Sequence, residues 1–212
     1  MKNYFATIQD IILEGQFVRL EPLRLEHAPH LWDIMKNDAE EIFRWIPYLM
    51  RTAEDSRNFI EFVLAEQERG ISVPFATVER NSGKIVGSTR FMNIDAANRH
   101  VEIGSTWIAP PWQRTAVNTE AKYLMLRHAF ETWKYLRVEF KTDSMNERSR
   151  KAILRLGAKE EGTFRKHMVT WNGRIRDSVY FSIIDTEWPE VKARLEEKLS
   201  QSKNGLTTRT EP

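Results

Sequence analysis

Apolar and polar positions alternate in some stretches of this chain and recur every three to four residues in others, and each switch of period marks an element. Phe17 to Leu23 alternates and predicts a strand that stops at Pro22. Leu25 to Met35 and Arg57 to Gln67 carry helical spacing, with Phe59, Phe62 and Val63 recurring together in the second. The aromatic run Phe43-Arg44-Trp45-Ile46-Pro47-Tyr48 between them is broken by proline and predicts a loop. Val73 to Glu79 and Ile85 to Met92 alternate on either side of Asn81-Ser82-Gly83, which predicts a hairpin.

After a turn at Asp95 to Arg99, His100 to Ile108 forms the next strand. Val101, Ile103 and Ser105 share one face, Glu102, Gly104 and Thr106 the other. Ala109-Pro110-Pro111 ends it. Asn118 to Thr132 then reads as a helix with Ala121, Leu124, Met125, His128 and Ala129 on its apolar stripe, capped by Asn118 or Thr119. Val138 to Asp143 is a short strand. Glu147 to Leu156 is a helix stopped by Gly157. Gly162 to Ile184 predicts a hairpin turning at Asn172-Gly173, and Trp188 to Leu199 a closing helix with Pro189 in its first turn.

This order predicts an α+β fold on one mixed sheet, a single domain over residues 1–199, and a polar, disordered tail over 200–212. Hydrophobic residues at 41% and charged residues at 29% suit a globular chain able to bury its own core. With no cysteine, the chain has no disulfide, no thiolate metal site and no cysteine nucleophile. The net charge is only +2, and Arg165, Lys166, Arg174 and Arg176 are too sparse for a nucleic-acid-binding patch. No apolar run is long enough to span a bilayer, and Met1 to Glu14 does not read as a signal peptide, so the expected location is the cytoplasm. His27, His30, His100, His128 and His167 show no metal-ligand spacing, so no metal is expected.

Chemistry points to the segment Trp107 to Thr119, a strand, a short loop and a long helix. A helix N-terminus offers unpaired N–H groups and a partial positive charge, a ready seat for phosphate. The stretch Gln113-Arg114-Thr115-Ala116-Val117-Asn118 occupies the position of the Gln/Arg-x-x-Gly-x-Gly/Ala signature of GNAT acetyltransferases. Its continuation, Asn118-Thr119-Glu120-Ala121-Lys122-Tyr123-Leu124-Met125-Leu126-Arg127-His128-Ala129-Phe130, resembles the branch that acetylates the N-termini of ribosomal proteins. Val101-Glu102-Ile103-Gly104, Arg137 to Asp143, Asn146-Glu147-Arg148-Ser149, Gly157-Ala158, Glu161-Gly162, Arg165, Gly173, Arg176-Asp177 and Glu187-Trp188 extend the resemblance in order, over roughly Glu14 to Leu199. Ala116 and Asn118 depart from the signature's glycines; alanine resists the left-handed backbone that glycine allows.

The resemblance implies a GNAT fold: a mixed central sheet of about seven strands flanked by helices, with splayed strands forming an acetyl-CoA cleft. It implies transfer of the acetyl group of acetyl-CoA to a primary amine, by direct attack in a ternary complex. Thr106, Trp107 and Ile108 would pair with the pantetheine arm. Gln113, Arg114, Thr115, Ala116, Val117, Asn118 and Thr119 would hold the pyrophosphate. Asn146, a natural N-cap, would also bond pantetheine, and Ser149 stands where related enzymes place a tyrosine acid. Glu102 is the first candidate base, with a surface or salt-bridged strand carboxylate as the even alternative; Glu161 is the second, and a loop carboxylate facing water is the favoured reading there. Trp45, Pro47 and Tyr48 are expected to wall the acceptor site, and Phe43 to pack in the core. The alternatives are a non-catalytic acyl-CoA sensor and a degenerate GNAT module. A monomer or homodimer is expected, with the edge strands of the C-terminal hairpin available for pairing.

Overall fold

The computed structural model describes residues 11–207, with side chains to residue 202. The reading of the N-terminal segment up to residue 10, and of the tail from residue 208, falls outside the described residues.

The chain runs β1 (Leu13–Glu14), β2 (Val18–Pro22), α1 (Ala28–Met35), α2 (Ala39–Ile42), α3 (Ala53–Glu68), β3 (Ser72–Glu79), β4 (Ile85–Asp95), β5 (His100–Ile108), α4 (Ala116–Arg127), β6 (Arg137–Asp143), α5 (Glu147–Leu156), β7 (Lys159–Val169), β8 (Ile175–Ile184) and α6 (Trp188–Thr207). Short 3-10 turns precede α1 and α4, and a π turn, His128–Thr132, follows α4.

One sheet holds the strands in the order β1-β2-β3-β4-β5-β6-β8-β7. All its pairings are antiparallel except β5 with β6. The fold is thus the expected α+β class, with eight strands rather than about seven. The addition is β1, a two-residue edge that pairs Leu13 with Leu20 and Glu14 with Arg19.

Both faces of the sheet are covered. Phe75 of β3 joins a core with α4 and α6, while its neighbour Ala76 joins a second core with α1, α3 and Phe43. Successive strand residues point to opposite faces, so β3 must be apolar on both. It is buried along nearly its whole length.

Helix ends follow local chemistry. The Thr52 and Asp55 side chains cap α3 reciprocally. Asn146 caps α5, and Gly157 ends it at φ 102°. The cap of α4 is Thr115 rather than Asn118 or Thr119: its Oγ1 accepts the Val117 N–H at 3.3 Å, so the helix begins at Ala116. β7 begins at Lys159, three residues before the expected Gly162. α6 continues through Ser200 to Thr207, where a tail was expected, on a stripe that buries Val191, Leu195 and Leu199.

Candidate active site

The site begins where the parallel strands part. β5 and β6 pair at His100–Arg137, Val101–Val138 and Glu102–Glu139, and no further. Beyond Glu102 the β6-facing edge of β5 has no strand partner. At the same place β5 bulges. Ser105 takes a left-handed φ of 51°, and the register against β4 slips, so that Gly104 faces Arg90 while Trp107 faces Ser88. Backbone amides inside a protein are nearly always paired, so an open edge in mid-sheet is suited to the amides of a ligand.

A cleft of about 1680 Å³ lies along this edge. It is lined by Thr106, Trp107 and Ile108 of β5, and by Gln113, Arg114, Thr115, Asn118 and Thr119 at the start of α4. Asn146 and Ser149 of α5 face them, and Trp45, Pro47 and Tyr48 form another part of the wall. The structure brings all of these sequence-predicted residues together around one cavity.

Three expected residues lie elsewhere. Val117 is buried in the core, and Ala116 packs against that core. Only their backbone N–H groups belong to the helix N-terminus. Glu161 lies outside the cleft on β7. Its carboxylate is held by the Arg137 guanidinium, one contact being 2.6 Å, and by the Ser182 hydroxyl. The arginine holds Glu161 down at about 2, which makes it a weak proton acceptor.

The glycine question at Ala116 is answered by backbone geometry. The left-handed residue of this loop is Arg114, at φ 64°, not Ala116, which is the first residue of α4. Strain of this kind is tolerated where surrounding structure holds it. Here Gln113, beside Arg114, is bonded on both sides. Its Nε2 donates to the Ile108 carbonyl at 2.7 Å, and its Oε1 accepts from Arg148 of α5.

Charge follows this geometry. Arg114, Arg148, Lys151, Arg155 and Lys198 are among the residues that line the cleft, and Arg148 bonds Gln113 just before α4. Five cations and a helix N-terminus suit a polyanion such as the phosphates of coenzyme A. The cations at 148, 151 and 155 recur at helical spacing, a signal that the sequence carries locally. Asn146 Oδ1 accepts the Ser149 N–H at 3.0 Å, the ordinary capping role. Among the described residues, the Asn146 amide nitrogen and the Ser149 hydroxyl carry no hydrogen bond to protein, which leaves both for a ligand.

Glu102 sits at the head of the cleft, 3% exposed. Its Oε2 accepts from Asn93 Nδ2 at 2.9 Å and from Lys141 Nζ at 3.3 Å. Asn93 reaches it from a left-handed φ of 51°. Sequence reasoning missed both partners, because the pairing depends on how β4 and β6 flank β5. Gly104 leaves room for this carboxylate: a Cβ there would lie 3.1 Å from Glu102 Oε1.

The aromatic loop is latched over the cleft by the β7–β8 hairpin. Trp171 Nε1 donates to the Phe43 carbonyl at 3.1 Å, and Arg176 to the Trp45 carbonyl at 2.9 Å. The guanidinium groups of Arg44 and Arg174 lie over the Trp45 ring, at 5.3 and 5.4 Å from its centroid. Phe43 is fully buried, as expected. Tyr48, on the same loop, meets Ser105 at the bulge, Oη to Oγ 2.6 Å.

A splayed parallel pair, a bulge in β5 and a helix N-terminus beside it form a cleft suited to a ligand that carries both amides and phosphates. The family model described as "Acetyltransferase (GNAT) domain" matches residues 18–159, and the chain belongs to that family. It is 35% identical over 177 residues, 82% of this chain and 94% of the relative, to the Bacillus subtilis (strain 168) protein named "Putative ribosomal N-acetyltransferase YdaF". A GCN5-related N-acetyltransferase from Brucella melitensis superposes with a TM-score of 0.84 at 34% identity, covering 90% of this chain and 86% of that one. An acetyltransferase structure from T. thermophilus gives 0.80 at 37% identity, covering 89% and 96%. The protein is an acetyl-CoA-dependent N-acetyltransferase. No helix among the described residues is long and apolar enough to cross a membrane.

Proposed function

We propose that the enzyme acetylates a primary amine, preferentially the N-terminus of a protein, by direct attack in a ternary complex. The observation that carries this is Glu102, a buried carboxylate at the point where β5 leaves β6, inside the cleft and beside the open edge. Bound acetyl-CoA supplies the activated acetyl group. The cations of the cleft and the N–H groups at the start of α4 hold its phosphates, and the open edge of β5 takes its pantetheine amides. An N–H of that edge near the bulge polarises the reacting carbonyl, as preorganised backbone donors do.

The acceptor arrives mainly as an ammonium, since an N-terminal amine has a pKa near ~8. Glu102, held in place by Lys141 and Asn93, accepts its proton, directly or through one water. The Ser149 hydroxyl, at the N-terminus of α5, donates to the departing sulfur, with help from the helix dipole. Trp45, Pro47 and Tyr48 form the wall against which the acceptor's first residue packs.

The relative named "Putative ribosomal N-acetyltransferase YdaF" supports a ribosomal-protein N-terminus as acceptor, and with it a cytoplasmic location. The latched loop supports a short, extended peptide end rather than a folded surface.

The test is Glu102→Gln, assayed with acetyl-CoA and a panel of N-terminal peptides, lysine peptides and small amines. Removal of a general base lowers kcat/KM by about 10²–10⁴-fold. Acetyl-CoA affinity, read by calorimetry, stays near the wild-type value. Unchanged turnover in this variant would exclude Glu102 as base, and turnover confined to small amines would exclude the peptide acceptor.

A further inference from the structure

Lys122 of α4 is 5% exposed and lines the floor of the cleft. Its Nζ lies 2.8 Å from Thr89 Oγ1 and 2.5 Å from Thr106 Oγ1. The two hydroxyls lie 2.8 Å from each other. The three polar atoms form a closed triangle, and among the described residues no carboxylate is bonded to Lys122.

Counting protons decides how this triangle works. An ammonium donates three bonds and accepts none. One hydroxyl can then donate to the other, but the second must send its proton outside the triangle. There Thr106 reaches the Gly104 carbonyl, at 3.4 Å, and Thr89 the Met125 sulfur, at 3.8 Å. Both contacts are long. A neutral amine both donates and accepts, so each member gives one proton and takes one, and the ring closes. Burial acts in the same direction, pushing Lys122 down from its ordinary 10.5 to about 7.

The ring sits against the bulge. Thr106 follows Ser105, the left-handed residue, and Ser105 is held from the aromatic loop by Tyr48. We propose that Lys122 is a positioning residue that works as an uncharged amine, closing a ring with Thr89 and Thr106 that keeps the β5 bulge shaped to receive the acyl-pantetheine arm. This rests on the assignment of the open β5 edge to acetyl-CoA.

The charged groups around Lys122 are otherwise committed. On α4, Glu120 turns to the backbone of β2 and Arg127 lies over the Tyr123 ring. Arg90 of β4 bonds Glu66, and Glu102 of β5 bonds Lys141 and Asn93. Arg148, on α5, bonds Gln113. The burial of Lys122 is therefore uncompensated by an ion pair.

The sign follows directly. The raised cost of the charged form means that binding is strongest above about pH 7 and falls as Lys122 takes up a proton. One linked proton weakens acetyl-CoA binding by about tenfold per pH unit below that point. Calorimetric titration of acetyl-CoA from pH 5.5 to 9, on wild type and Lys122→Met, reads this. Coenzyme A's own phosphate titrates equally against both proteins, so their difference reports Lys122. The expected result is weaker binding by Lys122→Met at pH 8 and loss of the extra slope. A variant with the wild-type slope overturns the proposal, as does a uniform loss with the slope retained, the mark of a merely structural lysine. Nitrogen NMR of lysine-labelled wild type tests the ring without any substitution: an Nζ that titrates near 10.5 refutes it. Wild type that binds no acetyl-CoA at any pH refutes the cofactor assignment, and this proposal with it. A low Nζ titration would then show the ring alone to be correct.

Discussion

Glu120 Oε2 accepts the backbone N–H of Phe17 at 2.6 Å. The same carboxylate takes the N–H groups of Gln16 and Val18, both at 2.8 Å, so one buried side chain of α4 satisfies three donors at the start of β2. A Cβ on Gly15 would collide with this carboxyl group, which explains glycine there. Two positions far apart in sequence thus tie the first strands to the helix that presents its N-terminus to the cleft.

Glu120→Ala leaves those donors unpaired. At about 1–3 kcal/mol for each buried unsatisfied group, with partial relief by water, the expected destabilisation is about 3–5 kcal/mol. Gly15→Ala, which keeps the carboxylate but crowds it, should lose about 1–3 kcal/mol by overpacking. Urea unfolding midpoints check both, with the larger fall expected for Glu120→Ala.

Glu161 is predicted to matter for acid stability and not for turnover. Its carboxyl is held at about 2 by Arg137, below the ordinary 4.5. A depressed folded value means a contribution present above about pH 4.5 and lost as pH falls toward 2. With 42% of the side chain exposed, solvent screening limits it to under about 1 kcal/mol. Glu161→Gln should therefore lower the melting temperature slightly at pH 7, converge with wild type near pH 2, and leave kcat/KM within about twofold. Thermal scans across pH, beside a steady-state assay, read both.

The cations of the cleft should act on the phosphates of the donor and not on its acyl end. Arg148→Ala is expected to raise KM for acetyl-CoA by about tenfold, the loss of one charge-assisted contact of about 1.5 kcal/mol. With acetyl-pantetheine, which lacks the nucleotide and its phosphates, the same substitution should change little. An equal loss with both donors would mean that Arg148 acts through Gln113 on the loop geometry instead.

Tyr48 should connect the acceptor wall to the bulge. Tyr48→Phe removes the partner of Ser105 at a part-buried position, at a cost of about 1 kcal/mol in stability. The bulge then loses its hold from the loop, and KM for the peptide acceptor should rise. Kinetics with the acceptor varied at saturating acetyl-CoA measure this.

Periodicity, turn residues and caps were enough to place nearly every helix and strand, because these depend on neighbours within a few residues. The resemblance around Gln113 to Phe130 pointed to the loop before α4, and the same resemblance, with its mid-strand place, singled out Glu102. Long-range pairing was not legible. Glu161, the second candidate, reads as a loop carboxylate facing water; β6 instead places Arg137 beside it. Ala116 looked strained until the cap fell on Thr115 and moved the left-handed residue to Arg114. The burial of Lys122 was not legible either, since no local pattern shows that the sheet covers it. Sequence alone determined the elements, the family and the segment that carries the chemistry. Tertiary structure decided which carboxylate lies in the cleft, which lysine is buried, and where β5 is left open, because each is set by partners that strand order brings together from distant parts of the chain.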